Sequence, residues 1–532
     1  MFPTTMAMKR LAFMLLLSAI IHPTAFAQCA GVTSCAAASC NASDVQNALN
    51  SINTDGTTLT IPSCSAGVNW SSSVTYNQTN STIIIGASGP TGYNAQGSPT
   101  GFTDQTVILD NVNHASGDPA TFQINAASGK SFRLSGITFE TGASGGSSNT
   151  GPIRVSGSLS SIRIDHNHFS GLSYVSLLIN GDHLFGVFDH NQVDLAAGSS
   201  FQGIWFWADN WDGDSNGDGS WADPTNLGTN QFMFAENNTF NGGGTGANDC
   251  THGGRYVWRY NTMNDNIAIQ THPTGGSGRA RGCRAWEVYN NNFVGSNSSP
   301  EYNVYFLSAG TGVMWGNSAP AGYEQFVSAH NVRSDNSDYS QTATPNGWGY
   351  CGTAFDGTGS GWDQNSSSST GYACIDQVGR GVGQLLSGQF PSAVNTATNT
   401  MSWPNQAQEP VYEWMDTWTA VPGYGYGFWN VSEGPSVIVQ NQDYYLWCNS
   451  SSPTGCTSYD GTSGVGSGLL AARPSTCTAK TGYFATDTST LYQCGSGNTW
   501  AAFYTPYTYP HPLTQGTPVA PLPPTDLKAV VN

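Results

Sequence analysis

Residues 162–169 read IRIDHNHF and residues 185–193 read FGVFDHNQV, and these two lines decide the fold. The same unit, a short strand ending in Asn-x-apolar, returns as FMFAENNTF at 232–240, YVWRYNTM at 256–263 and AWEVYNNNF at 285–293. The aligned asparagines are Asn167, Asn191, Asn238, Asn261 and Asn291, at spacings of 24, 47, 23 and 30 residues. The 47 is close to two periods, so either one more repeat or a long insertion lies inside it. A chain that repeats every two dozen residues, with Asn and Gly at the corners, reads as a solenoid of stacked circuits.

The circuits are β rather than α, because each carries strands of only four to five apolar-rich residues. Stacking them buries the Ile, Phe and Val of each strand and lets identical corner asparagines bond along the stack. The expected fold is therefore all-β, a parallel β-helix, and the competing arrangement is a β-sandwich with coincidental repeats. One helix is expected, from about Ser43. There Val45, Ala48, Leu49 and Ile52 form a single apolar face, and Ser43 with Gln46 makes a capping box. A short helix before the first strands suits a cap on an otherwise open sheet edge. Organisation then reads as a leader at 1–27, a cap at 28–80, the solenoid at 81–345, an aromatic-rich C-terminal cap region at 346–515 and a proline-rich tail at 516–532. Within the cap region GYFATDTSTLYQCGSGNTW reads as two strands joined by a turn, in a unit expected to fold back over the solenoid.

The capped N-terminus and the Asn-x-apolar circuits, over about residues 41–335, resemble the pectate-lyase-like superfamily of right-handed parallel β-helices. The resemblance lies in the repeat pattern, not in a catalytic signature. That superfamily holds lyases, glycoside hydrolases, esterases, epimerases, adhesins and tailspikes, so the fold alone assigns no chemistry.

Composition narrows the setting. Residues 1–27 combine Lys9 and Arg10, an apolar run and Ala25-Phe26-Ala27, the anatomy of a secretory signal peptide. Cleavage after Ala27 leaves 14 basic against 34 acidic residues, a net charge of −20. Such a surface repels nucleic acid and anionic membranes, and no later segment is long and apolar enough to span a bilayer. Twelve cysteines without a C-x-x-C pair point to disulfides in an exported protein. Cys250–Cys283, Cys351–Cys374, Cys448–Cys456 and Cys477–Cys494 are the expected local pairs. Sixteen Trp, 23 Tyr and 23 Phe supply a core that a disordered chain lacks.

Residues 249–292 hold five of the 16 cations: Arg255, Arg259, Arg279, Arg281 and Arg284. Arginine grips carboxylates with two nitrogens at once, so the expected partner is an acidic polysaccharide. Lyases of the resembled fold remove the proton α to a uronate carboxylate, often with Arg or Lys as base. By that resemblance Arg279, Arg281 or Arg284 is the expected base or carboxylate clamp, with Arg255 and Arg259 binding substrate. His252, His272 and Asp249 lie on neighbouring circuits as general acid–base candidates, and His183 and Asp182 belong to the same face. Trp205, Trp207, Tyr302 and Tyr305 are the expected sugar-stacking rings. Asp165-His166 and Asp189-His190, at matching places in the repeat, read as decoration of the corner.

The segment DGDSNGDGSWAD at 212–223 places Asp212, Asp214, Asn216, Asp218, Ser220 and Asp223 at positions 1, 3, 5, 7, 9 and 12 of a calcium loop. Gly217 stands at position 6 and Asp replaces the usual final Glu. Calcium there is expected to stiffen an insertion beside the groove. The sequence thus points to a secreted polysaccharide lyase acting on a pectin-like glycan. A glycoside hydrolase on the same fold and a non-catalytic glycan-binding or adhesin-type protein are the alternatives.

Overall fold

The computed structural model describes residues 29–515 except 115–118, 143–149, 173, 197–202, 214–216, 243–245, 266–267, 274–280, 296–302, 321, 331–375, 383–393, 396–399, 402–405, 422–426, 433–437, 451–455 and 457. Of residues 394–395 and 400–401 it describes the backbone alone. The leader, the Cys351–Cys374 pair and the proline-rich tail lie outside the described residues.

The chain is mostly β, and its long sheets are entirely parallel. It visits three of them in rotation. Strands Ile162–Asp165, Gly186–Asp189, Met233–Glu236, Arg255–Arg259 and Ala285–Tyr289 are consecutive members of a 12-stranded first sheet. Each is followed by a strand of a 10-stranded second sheet, beginning at His168, Gln192, Thr239, Thr262 and Asn292. The third sheet takes Ile153–Ser158, Leu177–Asp182, Ile204–Trp207 and Asn248–Thr251. It then breaks and resumes with Ile269–Thr271, Asn303–Leu307 and Gln325–Ala329. A sandwich pairs its strands antiparallel, so parallel pairing throughout these sheets removes that alternative.

The aligned asparagines form one continuous ladder. Asn191 Oδ1 accepts from the backbone N–H and the side-chain amide of Asn167, at 2.9 and 3.1 Å. Asn238, Asn261 and Asn291 repeat both bonds in turn. Asn191 meets Asn238 directly, so the 47-residue spacing is an insertion and not a further circuit. The ladder runs beyond the sequence pattern to Asn317 and ends on Asp416. Before each ladder asparagine the chain turns through a left-handed residue: His166 and His190 at φ 54, Asn237, Tyr260 and Asn290 at φ 55. Left-handed non-glycine residues cost about 1–2 kcal/mol, which the ladder's buried bonds offset. The apolar residue two past each asparagine also stacks, Phe169 on Val193, then Phe240, Met263 and Phe293.

The sheets begin earlier and run further than the boundaries 81–345. Ser34–Ala36 and Thr57–Thr60 already belong to the first sheet, and Val411–Trp414 and Tyr444–Tyr445 close it. The helix Ala42–Ser51 buries Val45, Ala48 and Leu49 as the periodicity requires. Its capping box does not form, because Gln46 instead accepts from the Thr75 N–H and donates to the Thr75 carbonyl. That pair of bonds fixes the helix to the first strand of the third sheet.

A four-stranded unit, Val465–Gly468, Gly482–Ala485, Thr490–Cys494 and Trp500–Tyr504, folds back as expected. Its Phe484, Leu491 and Tyr504 pack with Val313, Tyr412 and Trp414 on the outer side of the first sheet. The following residues continue the cover, with Tyr507 and Leu513 against Phe234 and Val257. Five disulfides join described cysteines: Cys29–Cys35, Cys40–Cys64, Cys250–Cys283, Cys448–Cys456 and Cys477–Cys494. Among the described residues no helix is long and apolar enough to cross a membrane. The disulfides fit an extracellular protein.

Candidate functional site

The arginine concentration is real in space, but it faces inward. Arg259, Arg281 and Arg284 are fully buried and Arg255 is 4 % exposed. Arg281 grips both oxygens of Asp376 at 2.7 and 2.6 Å and reaches Asp218 at 2.8 Å. Arg284 meets Glu409 at 2.8 Å and the Asp223 carbonyl at 3.0 Å. Trp221 lies between the two guanidinium groups, 4.9 and 5.0 Å from them. Arg259 holds Glu236, the Tyr289 hydroxyl and the carbonyls of Tyr507 and Thr508. Arg255 donates to Ser220 and to the Pro224 carbonyl, oxygens that carry no charge. Burial, with the Arg284 charge beside it, pulls Arg255 down to about 9.

These side chains clasp the 208–231 insertion, the Asp376–Glu409 stretch and the C-terminal cover to the first sheet. Arg281 and Arg284 are therefore not placed to act as base or clamp on a glycan. Arg255 and Arg259 likewise have no free face for substrate. Arg279 lies outside the described residues.

The calcium loop is also rearranged. Asp214 and Asn216 lie outside the described residues. Gly217 has φ 90, and a side chain there would sit about 2 Å from the His252 backbone, so position 6 does require glycine. Asp218–Ala222 is a short helix. Its Asp218 is taken by Arg281, and buried Ser220 donates to the Gly253 carbonyl at 2.6 Å. Asp223 accepts from the Trp211 indole at 2.8 Å. The described members of the 12-residue pattern thus do not converge on one point.

Asp212 turns instead toward Asp182, whose carboxylate accepts the Asp212 N–H at 3.0 Å. Ligand atoms of Asp182, His183 and Asp212 lie within 4.8 Å of one another. The Asp223 carboxylate is 4.0 Å from His183 Nε2, and the His183 ring lies over Trp211 at 4.0 Å. Carboxylate oxygens with one imidazole form a donor set that suits a divalent cation. The Asp165, His166 and Asp189 group has similar geometry. There Arg133 and Arg163 already occupy the carboxylates, and Asp165 stays well below the usual carboxylate range despite its burial.

With the first sheet covered, the third sheet presents the aromatic face. Trp205 and Trp207 point outward from Ile204–Trp207, half-buried, with ring centroids 5.4 Å apart. Trp205 pairs laterally with Asp249 and Trp207 with Thr251. His252, left-handed at φ 52, lays its ring on Trp207 at 4.5 Å. Its Nδ1 and the Trp207 indole nitrogen are buried without a hydrogen-bond partner. Asp249 is 5 % exposed and accepts the Cys250 N–H at 2.7 Å. Burial pushes Asp249 up, against the opposing pull of His272 and His252. Burial pushes His252 down. The sheet therefore sets a carboxyl inclined to hold its proton beside an imidazole inclined to stay neutral.

His272 reaches this place through its backbone, donating to the Cys250 carbonyl and accepting from Cys283. The Cys250–Cys283 disulfide fixes both ends of that connection. Tyr305 is in the core, its hydroxyl 2.8 Å from that of Tyr256, so it is not a sugar-stacking ring. Tyr302 lies outside the described residues. One nearby pair escaped the sequence reading: Ser308 Oγ and His330 Nε2 are 2.7 Å apart, both buried. Burial and His272 pull His330 down to about 4. No motif flags that pair, which topology alone brings together.

No family model, no curated protein and no solved structure matches this chain.

Proposed function

We propose that this is a secreted polysaccharide-active protein whose three sheets wind as a right-handed parallel β-helix, similar to the pectate-lyase-like superfamily. Its glycan-cleaving face is the outer side of the third sheet. The observation that carries the reading is the outward Trp205–Trp207 pair set directly against Asp249 and His252. Flat apolar rings stack on sugar faces, while an imidazole pushed toward its neutral form and a carboxyl pushed toward its protonated form supply a base and an acid.

The reaction is β-elimination on an acidic glycan. His252 takes the proton α to the uronate carboxylate, the C4–O bond breaks, and Asp249 returns a proton to the departing oxygen. With Arg255, Arg259, Arg281 and Arg284 turned inward, the uronate carboxylate needs another counter-charge on this face. A divalent cation such as Ca2+, held by Asp182, His183 and Asp212, would supply it.

The test follows the near-ultraviolet absorbance of the unsaturated uronide on polygalacturonate, pectin and alginate, with calcium and then with chelator. Absorbance that Asp249→Asn and Trp205→Ala abolish supports the proposal. New reducing ends without absorbance would replace it with hydrolysis. A second reading, a glycan-binding surface protein without catalysis, is favoured by the structural use of Arg281 and Arg284. Retention on a glycan with neither product would establish that reading.

A further inference from the structure

The C-terminal unit presents a second set of rings, on the side away from the first sheet. Phe484, Leu491 and Tyr504 face the sheet, so by alternation their strand neighbours face outward. Tyr483 pairs with Tyr492, Tyr492 with Ala502, and Cys494 with Trp500. This outer side therefore carries the half-buried Tyr492 and Trp500, with Tyr483 buried beside Trp500 at 2 % exposure. The Trp500 indole donates to the Pro474 carbonyl at 2.8 Å, which fixes the half-buried ring by its edge. Leu469, 59 % exposed, borders the patch, and its carbonyl accepts from the Tyr483 hydroxyl.

Arg473 lies over this patch, its guanidinium carbon 4.2 Å from the Tyr492 centroid and 5.9 Å from that of Trp500. Its Nη1 is buried and has no hydrogen-bond partner. Six other described arginines are engaged differently. Arg133, Arg163, Arg259, Arg281, Arg284 and Arg380 all meet carboxylates. A guanidinium held in place against two rings offers the planar fork that matches a planar oxyanion. The rings beside it are set to receive the face of the sugar that carries that oxyanion. The Cys477–Cys494 disulfide ties the Arg473–Cys477 loop to the strand bearing Tyr492, so the arrangement is held before any ligand arrives.

We propose that Arg473, Tyr492 and Trp500 form an accessory binding site for a carboxylate-bearing sugar residue, separate from the face of the third sheet. The site rests on the reading that the protein handles an acidic glycan, and it adds an anchor that does no chemistry. Arg473 receives the uronate carboxylate and Trp500 stacks on the ring. Anchoring at a distance from the cleavage face raises the local concentration of polymer there.

The experiment is affinity electrophoresis of the full-length protein in gels containing polygalacturonate or hydroxyethyl cellulose, run with chelator so that polymer is not consumed. Wild type should be retarded by polygalacturonate and not by the neutral polymer. Arg473→Ala and Trp500→Ala should each weaken retardation about tenfold in apparent Kd, the scale of one ion pair or one stacking contact. Arg473→Lys, which keeps the charge and loses the fork, should fall between. Cleavage of short uronide oligomers should be unchanged in all three, whereas Trp205→Ala should lose cleavage and keep retardation. Unchanged retardation in Arg473→Ala would overturn the proposal, and so would absence of retardation in wild type. Retardation by both polymers that falls equally in Arg473→Ala would overturn the carboxylate assignment. Failure of cleavage alone would count against the third-sheet reading and leave this site standing.

Discussion

Glu287 should make attachment of the C-terminal unit depend on pH, in a direction opposite to ordinary acid denaturation. The carboxyl is fully buried in the first sheet and accepts from the Gly228 N–H at 2.6 Å and the Tyr504 hydroxyl at 2.8 Å. Burial outweighs those two bonds and the Arg259 charge, pushing Glu287 from 4.5 up to about 7. A carboxyl with a raised folded-state value contributes fully below its unfolded value, and its contribution is lost as pH rises. The window therefore runs from about pH 4.5 to just above 7. Its span of about 2.5 pH units corresponds to about 3.5 kcal/mol, at ~1.4 kcal/mol per unit.

Glu287→Gln mimics the protonated side chain and should remove that loss. Amide hydrogen exchange in Gly482–Ala485 and Thr490–Cys494 reads the local opening directly. After correction for intrinsic rates, wild-type opening should become roughly 70-fold more favourable between pH 5 and pH 8. In Glu287→Gln most of that change should vanish. Equal pH dependence in the two proteins would refute the argument, because the buried carboxyl would then not be the group that titrates.

Arg281→Ala leaves Asp376 and Asp218 without their cation and should cost about 3–5 kcal/mol. Thermal unfolding should drop accordingly, while specific activity per folded molecule, measured at low temperature, should hold. Asn238→Ala removes a rung that bonds Asn191, Asn261, Phe188 and Glu236. It should cost about 3 kcal/mol or more, since buried backbone groups are left unmatched, and calorimetry reads the loss. Asp212→Ala should abolish the rise in melting temperature that calcium gives the wild type. Asp218→Asn should leave that rise in place, because Asp218 serves Arg281 and not the cation.

The ladder was legible in the sequence because a corner repeated in space must repeat in chemistry. Asn167 and Asn191 bond each other only if both are asparagine at the same step of the circuit. Asn317 and Asp416 belong to the same ladder, yet Asn317 is followed by the small Ala319 in place of a large apolar residue and Asp416 is not an asparagine, so the pattern alone stops short of them. The site was harder for a definite reason. Arg281 finds Asp376, 95 residues on, and Arg284 finds Glu409, 125 residues on. Insertions of that length break the register on which the repeat depends, so no periodicity points from one partner to the other. The calcium pattern failed similarly. It tests spacing along one loop, whereas Asp212 meets Asp182, which lies 30 residues upstream on the third sheet. Trp205 and Asp249 were visible as residue types, and only the lateral register made them neighbours.

The inward placement of cations predicts how ionic strength acts on glycan capture. The chain carries a net charge of −18, and most of its described arginines are matched by its own carboxylates. The third-sheet face adds Asp182 and Asp212, so an approaching polyuronate meets like charge at long range. That repulsion is screened beyond about 8 Å at physiological ionic strength. Raising salt should therefore increase the association rate on polygalacturonate, whereas a protein with an open basic groove slows under the same change. Stopped-flow quenching of Trp205 and Trp207 fluorescence, at fixed calcium and between low and physiological salt, measures the rate. A rate that falls steeply with salt would mean that cations outside the described residues, Arg279 among them, dominate the approach. The assignment of the acidic, aromatic third-sheet face as the point of first contact would then be wrong.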